Sequence, residues 1–310
     1  MGVNSRLKWS RPLRVRILLD TRDLINIVER ERPITLRDFE AYLQAGNHQV
    51  VLSNTSVREF AGPLASGGDF LRLRPLLQSL ERIPHTYIRE VTIMAVELEA
   101  AVASFIAGLE PPPSSPFVDR WDRTMVSLPG GRRQVEDMLV GLRLDEIVYY
   151  IYRFNPQLFA PPAHYLPALR ALLDADRALL RTGQAPARQH FIRAVKRHAA
   201  SHHVSLPEGR EDEFAEWVYK KPDRCPGLRL SHEVFRALTA NYGDEPEAGD
   251  FSDLSQVFAV PYVDAATLDN RIRDYCRIAS RKIVRMGGAC NYHDRICRDA
   301  PDAMRKHPLA

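Results

Sequence analysis

The sequence predicts an α/β fold in which a small parallel-sheet core carries a large all-α insertion. Two short apolar runs, at residues 15–19 and 50–52, each lead directly into a segment with helical spacing, which is typical of βα units in a parallel sheet. Nearly every segment between residues 69 and 242 then has apolar residues at helical spacing. An α/β pattern returns after Tyr242. We therefore expect a core that is built from both ends of the chain.

The first two βα units are marked by the residues at which their apolar runs stop. The first strand stops at Asp20, and a helix with a buried stripe of Leu24, Ile25, Ile27 and Val28 follows it. The second run is followed by four polar residues and then by another helix. Polar residues at these points end the strands and begin the helices.

The central region consists of predicted helices that are separated by proline-containing breakers. Leucines recur at helical spacing from Leu71 to Leu80. Further helices are predicted at residues 87–109, 132–154, 165–182, 187–203, 209–220 and 231–242. We accordingly assign residues 1–66 and 243–310 to a discontinuous α/β core, and residues 67–242 to a helical insertion.

The last α/β unit begins after a polar loop. Asp250 opens a predicted helix that continues through Val260, where Pro261 stops it. A strand is predicted over residues 262–268 and a helix over residues 270–286. This segment supplies the third strand of the expected core.

Composition excludes several classes of protein. Of 310 residues, 45% are hydrophobic and 26% are charged, values near those of globular domains and unlike those of disordered or fibrous chains. No apolar run reaches the roughly 18 to 20 residues that a membrane span requires, and the N-terminus lacks the apolar stretch of a signal peptide. Four cysteines are too few for a disulfide scaffold. We expect a soluble, cytoplasmic protein without a membrane partner.

Positive charge is concentrated at the two ends of the chain. The net charge is only +4, but residues 1–19 contain five Lys and Arg and no acid, and residues 271–306 contain ten Lys and Arg against four Asp. Basic segments are usually solvated surface, although they also suit a polyanion such as nucleic acid.

Acidic residues stand at or near the predicted strand ends. They are Asp20, Glu59, Asp250, Asp253, Asp264 and Asp269. The carboxyl ends of parallel strands meet at one edge of a sheet, so we expect three or four of these carboxylates to converge there. Converging carboxylates repel one another unless a cation lies between them, and hard oxygen ligands favour Mg²⁺ or Mn²⁺.

Each acid also has a purely structural interpretation. Ser56 and Glu59 have the spacing of a capping box, and Asp250 and Asp253 have the positions of an N-cap and a first-turn acid. The other acids could end strands as turn formers. Both interpretations stay open for each residue, and the shared sheet edge favours the cation site.

Three segments that contain these acids resemble segments of a PIN domain. They are residues 17–21, 50–59 and 250–271. The third is the most specific, because it combines an acidic helix start, a Pro-Tyr-x-Asp strand entry and a strand that ends in Asp. The resemblance implies a PIN-like core with the activity of a metal-dependent endoribonuclease, which hydrolyses RNA phosphodiester bonds through an acidic quartet.

The resemblance also assigns roles to individual residues. On the matching positions, the implied catalytic and metal-binding quartet is Asp20, Glu59, Asp253 and Asp269. Asp250 and Asp264 are alternative metal ligands within the same motifs, and the implied cofactor is Mg²⁺ or Mn²⁺. The chain departs from the family pattern at Arg22, where Asn is frequent, at Asn270, where Arg or Lys is frequent, and in its long insertion.

Basic residues near these motifs and on one helix of the insertion are candidates for binding a nucleic-acid backbone. The helix predicted at residues 187–203 has Phe191, Ile192 and Val195 on one side and basic residues on the other. Such a helix is most often a solvated face, but it can also bind phosphates. The candidates are Arg22, Arg193, Lys196, Arg197, Arg271 and Arg273.

Three functions are consistent with these observations. The leading hypothesis is a PIN-like Mg²⁺- or Mn²⁺-dependent nuclease that acts on RNA, with single-stranded DNA as the alternative substrate, in a toxin, phage-defence or RNA-processing role. The second is a catalytically inactive PIN-like module that binds nucleic acid. The third is an interaction protein that docks a protein partner or a second copy. Cleavage of RNA in Mn²⁺, binding without cleavage, or neither would distinguish them.

Overall fold

A single sheet runs through the protein. The computed structural model describes residues 14–30, 32–89, 92–120, 141–154, 156–159, 162–182 and 187–309. The strands are β1 (Arg16–Leu18), β2 (Gln49–Leu52), β3 (His85–Ile88), β4 (Phe117–Val118), β5 (Ala265–Thr267) and β6 (Ile296–Cys297). Their order is β4-β3-β2-β1-β5-β6, and β4 pairs antiparallel with β3 while the other neighbours are parallel. The predicted α/β class is confirmed.

Helices cover both faces of this sheet. Those of the first half of the chain are α1 (Thr21–Val28), α2 (Leu36–Ala45), α3 (Asn54–Phe60), α4 (Phe70–Arg82), α5 (Ile93–Ala107) and α6 (Leu144–Phe154). Those of the second half are α7 (Leu166–Arg181), α8 (Ala187–Ser201), α9 (Glu211–Lys220), α10 (Pro226–Ala240), α11 (Asp250–Val257), α12 (Asn270–Arg285) and α13 (Ala300–Lys306). No helix within the described ranges combines the length and apolar character needed to cross a membrane.

The strands separate two hydrophobic cores. Ile17 and Val50 pack into the core that contains α1, α2, α4, α6 and α13, whereas Leu18 and Val51 pack into the core that contains α10, α11 and α12. Successive side chains of a strand point to opposite faces of the sheet. Because helices cover both faces, successive residues on opposite faces of the central strands are apolar, namely Ile17 and Leu18 in β1 and residues 50–52 in β2.

A buried carboxyl group joins the helical region to the sheet. Helices α5, α8 and α9 share a third apolar core with the start of α10. From α5, the Glu97 carboxylate accepts the backbone N–H groups of Gly227 at 2.6 Å and Leu228 at 2.9 Å, and it also accepts the hydroxyl of Tyr262. Burial raises the pKa of Glu97 to about 7. Since Tyr262 lies just before β5, these bonds hold α5 and α10 against the last α/β unit.

The expectation of a wholly helical segment between residues 69 and 242 is wrong in two places. Strands β3 and β4 lie within it and extend the sheet beyond β2. A run of four residues such as β3 cannot be separated from the start of a buried helix by periodicity alone, so it was merged with the helix predicted from residue 87. The α/β core therefore includes part of the region 67–242 that the sequence assigned to the insertion.

The remaining predicted helices and strands are present among the described residues, but their first and last residues differ from the predicted ones. Helix α11 ends at Val257, and a 3₁₀ turn over Val260–Tyr262 occupies the place of its predicted last turn. The sequence predictions do not include α2, β6 or α13. Of these, β6 has two residues and α13 has seven, so both carry little periodic signal. Residues 132–140 of one predicted helix, and the basic N-terminal residues before residue 14, lie outside the described residues.

The central position of β1 predicts a large effect of truncating one of its side chains. Leu18 is 0% exposed and lies between β2 and β5. Leu18→Ala should lower the free energy of unfolding by about 2–5 kcal/mol, because the cavity cannot collapse. Leu71→Ala is the control, since Leu71 is 71% exposed and its loss should change stability by less than about 0.5 kcal/mol. Equal effects in urea denaturation would contradict this placement of β1.

Candidate active site

Two acids lie side by side at the carboxyl edge of the sheet, where the neighbouring strands β1 and β5 end. Asp20 caps α1 by accepting the backbone N–H of Arg22 at 3.2 Å, and Asp269 caps α12 by accepting that of Arg271 at 2.8 Å. The backbone N–H of Asp20 donates to the Thr267 hydroxyl at 2.7 Å, which fixes the two strand ends together. Both acids are thus helix caps, and an ionised carboxylate retains further lone pairs for another ligand.

Glu59 is brought to this edge by a contact between helices. The Ser56–Glu59 capping box is not formed: Ser53 caps α3 by accepting the backbone N–H of Ser56 at 2.9 Å, and Glu59 lies in the second turn. Its carboxylate instead accepts the hydroxyl of Thr21 on α1 at 2.6 Å. Because Thr21 directly follows Asp20, this bond places Glu59 beside the end of β1.

Asp253 lies at the centre of the acids. It stands in the first turn of α11, and its pKa is raised to about 8. Burial is the largest cause, followed by the negative charges of Asp20, Glu59, Asp269 and Asp250. A carboxyl group with this pKa is mostly protonated at neutral pH. The structure therefore brings the four residues of the proposed quartet into one electrostatic cluster.

Asp23 is a further acid of the cluster, and the sequence analysis missed it. Its side chain is buried, and one of its carboxylate oxygens has no hydrogen-bond partner in the described part of the chain. Burial chiefly raises the pKa of Asp23, with smaller contributions from the charges of Asp20 and Asp299. Asp299 follows β6 and caps α13. Asp23 could have been found from its position in the sequence, because a residue three positions after the N-cap Asp20 lies in the first turn of α1.

Asp250 and Arg271 neutralise each other. Asp250 accepts the backbone N–H of Glu247 at 2.7 Å and the guanidinium of Arg271 at 2.8 Å, and Gly249 occupies the N-cap position of α11. Arg271 also pairs with Asp244 at 2.9 Å, and its side chain is only 17% exposed. The assignments of Asp250 as a metal ligand and Arg271 as a phosphate contact are therefore corrected: this ion pair holds α11 and α12 together.

Asp264 lies at the opposite edge of the sheet. It precedes β5, and its carboxylate accepts the backbone N–H of Arg16, the first residue of β1, at 2.8 Å. The whole of β5 therefore separates Asp264 from Asp269. Its prediction as a metal ligand is wrong, because an acid at the amino end of a parallel strand cannot reach the carboxyl edge.

A cleft of about 550 Å³ opens beside the acidic cluster. Asp20 and Glu59 form part of its wall, together with three basic residues, Arg22, Arg30 and Arg58. The Arg22 guanidinium lies 3.8 Å from the Asp20 carboxylate, and its side chain is 54% exposed. A concave site of this volume suits a small organic ligand, and the neighbouring positive charges suit an anionic one.

The other predicted nucleic-acid contacts lie at differing distances from this cleft. Arg197 lines a second cavity of about 260 Å³ that shares two lining residues with the cleft. Lys196 pairs with Asp212 at 2.7 Å, and Arg193 lines a surface hollow beside the same aspartate. Arg273 lies on α12 and is partly buried. Of the six predicted basic residues, the structure places Arg22 at the acids and Arg197 nearby.

The donors of the acidic cluster are carboxylate oxygens, the type of ligand that a hard divalent cation prefers. Within the described ranges, no three His, Cys, Asp or Glu side chains form a ready-made metal centre. Mg²⁺, however, usually keeps several of its waters and is held by only one or two protein carboxylates. Mutual repulsion of the acids around Asp253, seen in its raised pKa, is the property that such a cation would relieve.

Comparison of the chain with protein-family models, with curated proteins and with solved structures gives no match, so its function is inferred from the geometry and charge of the site.

The raised pKa of Asp253 predicts a specific pH dependence of stability. A carboxyl group whose pKa is higher in the folded state destabilises that state as the pH rises from its unfolded pKa, about 4, to its folded pKa, about 8. Asp253→Asn, measured in EDTA, should therefore raise the free energy of unfolding by more than about 1 kcal/mol at pH 8, with a smaller gain at pH 5.

Asp119→Asn is the matched control for this measurement. Asp119 is an exposed acid that follows β4 and lies at the amino edge of the parallel strands, so its replacement removes one charge outside the cluster. The gain in stability at high pH should be absent from this variant. If Asp253→Asn shows no pH-dependent gain, Asp253 is not surrounded by charged acids in solution.

Proposed function

We propose that this protein is a PIN-like, Mg²⁺- or Mn²⁺-dependent endoribonuclease. The observation that carries the proposal is the placement of Asp20 and Asp269 as helix caps at the ends of two adjacent strands, with Glu59 tied to Thr21 beside them. Asp253 completes the group, since burial and then the charges of Asp20, Glu59 and Asp269 raise its pKa. These are the acids that the resemblance to PIN domains assigns to a catalytic quartet. They come from four separate helices or strand ends, so their convergence is a property of the fold and not of one local motif.

The acids differ in how firmly their neighbours hold them. Asp20 and Asp269 are fixed as caps at two adjacent strand ends, and Glu59 is oriented by the Thr21 hydroxyl. Burial and the neighbouring negative charges raise the pKa of Asp253 to about 8, and positive charge that enters the cluster would lower this pKa again. One or two of the carboxylates of Asp20, Asp253 and Asp269 would hold the cation, which would keep several of its waters, and Glu59 stands beside them.

Hydrolysis of a phosphodiester needs an attacking water, a base and positive charge near the phosphate. When bound, Mg²⁺ or Mn²⁺ supplies charge that polarises the phosphate and makes a water more acidic. A carboxylate of the cluster would accept the proton of the attacking water as the new P–O bond forms. The bond to the leaving oxygen would then break, and that oxygen would take a proton from solvent water. Arg22, which is exposed at the cleft, would hold the neighbouring backbone phosphate.

The proposal predicts that Asp20 contributes to activity through the negative charge of its carboxylate and not through its cap of α1. Asp20→Asn should keep the cap of α1, because Asn is an equally good N-cap, but it should lower RNA cleavage in Mn²⁺ by at least about 100-fold, as loss of an essential electrostatic group does. The Mn²⁺-dependent rise in thermal stability, which follows from binding to the folded state, should shrink in parallel. The measurements are cleavage of labelled RNA and single-stranded DNA, and thermal unfolding across a Mn²⁺ titration.

Asp264→Asn is the control, because Asp264 lies at the opposite edge of the sheet and its replacement should leave both cleavage and the Mn²⁺ response unchanged. Cleavage by Asp20→Asn at the wild-type rate, or a wild type that neither cuts nor responds to millimolar Mn²⁺, would refute a metal-dependent nuclease. Binding of RNA without cleavage would instead identify an inactive PIN-like binding module.

A further inference from the structure

An aromatic pair forms one wall of the cleft beside the acids. The rings of Tyr165 and Phe251 are stacked, with centroids 4.9 Å apart and an angle of 15° between their planes. Both residues line the cleft, and Phe251 remains 39% exposed. Phe251 lies on α11, two residues before Asp253, whereas Tyr165 precedes α7 in the region that the sequence assigned to the insertion. The helical region therefore contributes a residue to the cleft of the core.

Arg58 connects this pair to the acidic cluster. Its guanidinium donates a hydrogen bond to the Tyr165 hydroxyl at 2.9 Å and lies 5.6 Å from the centre of the Tyr165 ring. Arg58 is the residue before Glu59 on α3. The aromatic wall is thus held against the helix that carries one of the acids, and Tyr165, Arg58 and Glu59 all line the cleft.

This combination has the chemistry that binds an unpaired nucleotide. Every nucleobase has a face that stacks on an aromatic ring, and proteins that bind single strands pair such rings with cations that hold the backbone. Arg22 and Arg30 supply the cations on the α1 side of the cleft. A base inside a duplex would first have to be unstacked and unpaired before its face could stack on Phe251.

We propose that the cleft is a subsite for one unpaired nucleobase next to the cleaved phosphate, with the base stacked on the Phe251–Tyr165 pair and its phosphate between Arg22 and Arg30. The identity of the ligand, a nucleotide of RNA, rests on the proposed nuclease function. The subsite also gives the helical region a role in positioning the substrate, through Tyr165. By holding the base, Tyr165 and Phe251 fix which phosphate of the strand lies over the acids.

The test is an abasic scan by fluorescence anisotropy in an Asp20→Asn background, where cleavage does not interfere. The probe is a labelled RNA of about eight nucleotides, together with versions that lack one base at each position in turn. One abasic position should weaken binding by at least about fivefold, the smallest loss typical of a missing stacked base. Adding Phe251→Leu should weaken binding of the intact RNA by a similar factor and abolish the effect of that abasic position, because the two changes remove the same interaction.

Two further variants separate stacking from loss of structure. Tyr149→Leu removes another exposed aromatic side chain that packs on a neighbouring ring, that of Phe70, outside the cleft, and it should leave the scan unchanged. Tyr165→Phe keeps the ring but removes the hydroxyl that binds Arg58, and it should retain binding within about twofold. Thermal unfolding of each variant checks that the fold persists.

The outcomes for the subsite and for the nuclease are distinct. A scan with no sensitive position, or one whose sensitive position is unaffected by Phe251→Leu, overturns the subsite even if the wild type cleaves RNA. A position coupled to Phe251 supports the subsite even if the wild type does not cleave, in which case the acids serve binding alone and the nuclease proposal fails.

Discussion

Repulsion among carboxylates at one edge of the sheet is the constraint on which the site depends. Two strand ends and two helix turns bring Asp20, Glu59, Asp253 and Asp269 together. Burial, followed by the charges of the neighbouring acids, raises the pKa of Asp253 to about 8. A fold that served stability alone would gain by replacing one of these acids with a neutral residue. A divalent cation of the kind that we propose for this site would relieve the repulsion.

Two further acids of the same sequence motifs are bound by other groups of the protein, which distinguishes them from the quartet. Asp250 lies on the same helix as Asp253, yet its charge is offset by Arg271 at 2.8 Å. Asp264 belongs to the same sequence motif as Asp269, yet it caps the other end of β5. Spacing in the sequence cannot make these distinctions, because three residues of extended chain carry a side chain from one edge of the sheet to the other.

The helical region is joined to the core in two ways that bear on function. Glu97 bonds the start of α10 and the turn before β5, so α5 and α10 are held against the α/β unit that carries Asp253. Tyr165 stacks on Phe251 and bonds Arg58, so the segment before α7 forms part of the wall of the cleft. The region extends the sheet through β3 and β4 and also shapes the site.

The sequence by itself determined the class of the fold and the acids that end its strands. Apolar runs that stop at Asp20 and Asp269 are local signals, because a parallel strand that is buried on both faces is largely apolar and these two strands are followed directly by residues that cap a helix. Only the tertiary structure decided which acids share a cluster, that Glu59 bonds Thr21 instead of forming a capping box, and that Asp23 belongs with them. It also decided that Tyr165, separated from Phe251 by 86 positions, stacks on it, since such contacts depend on how helices pack across the sheet and leave no periodic trace in the chain.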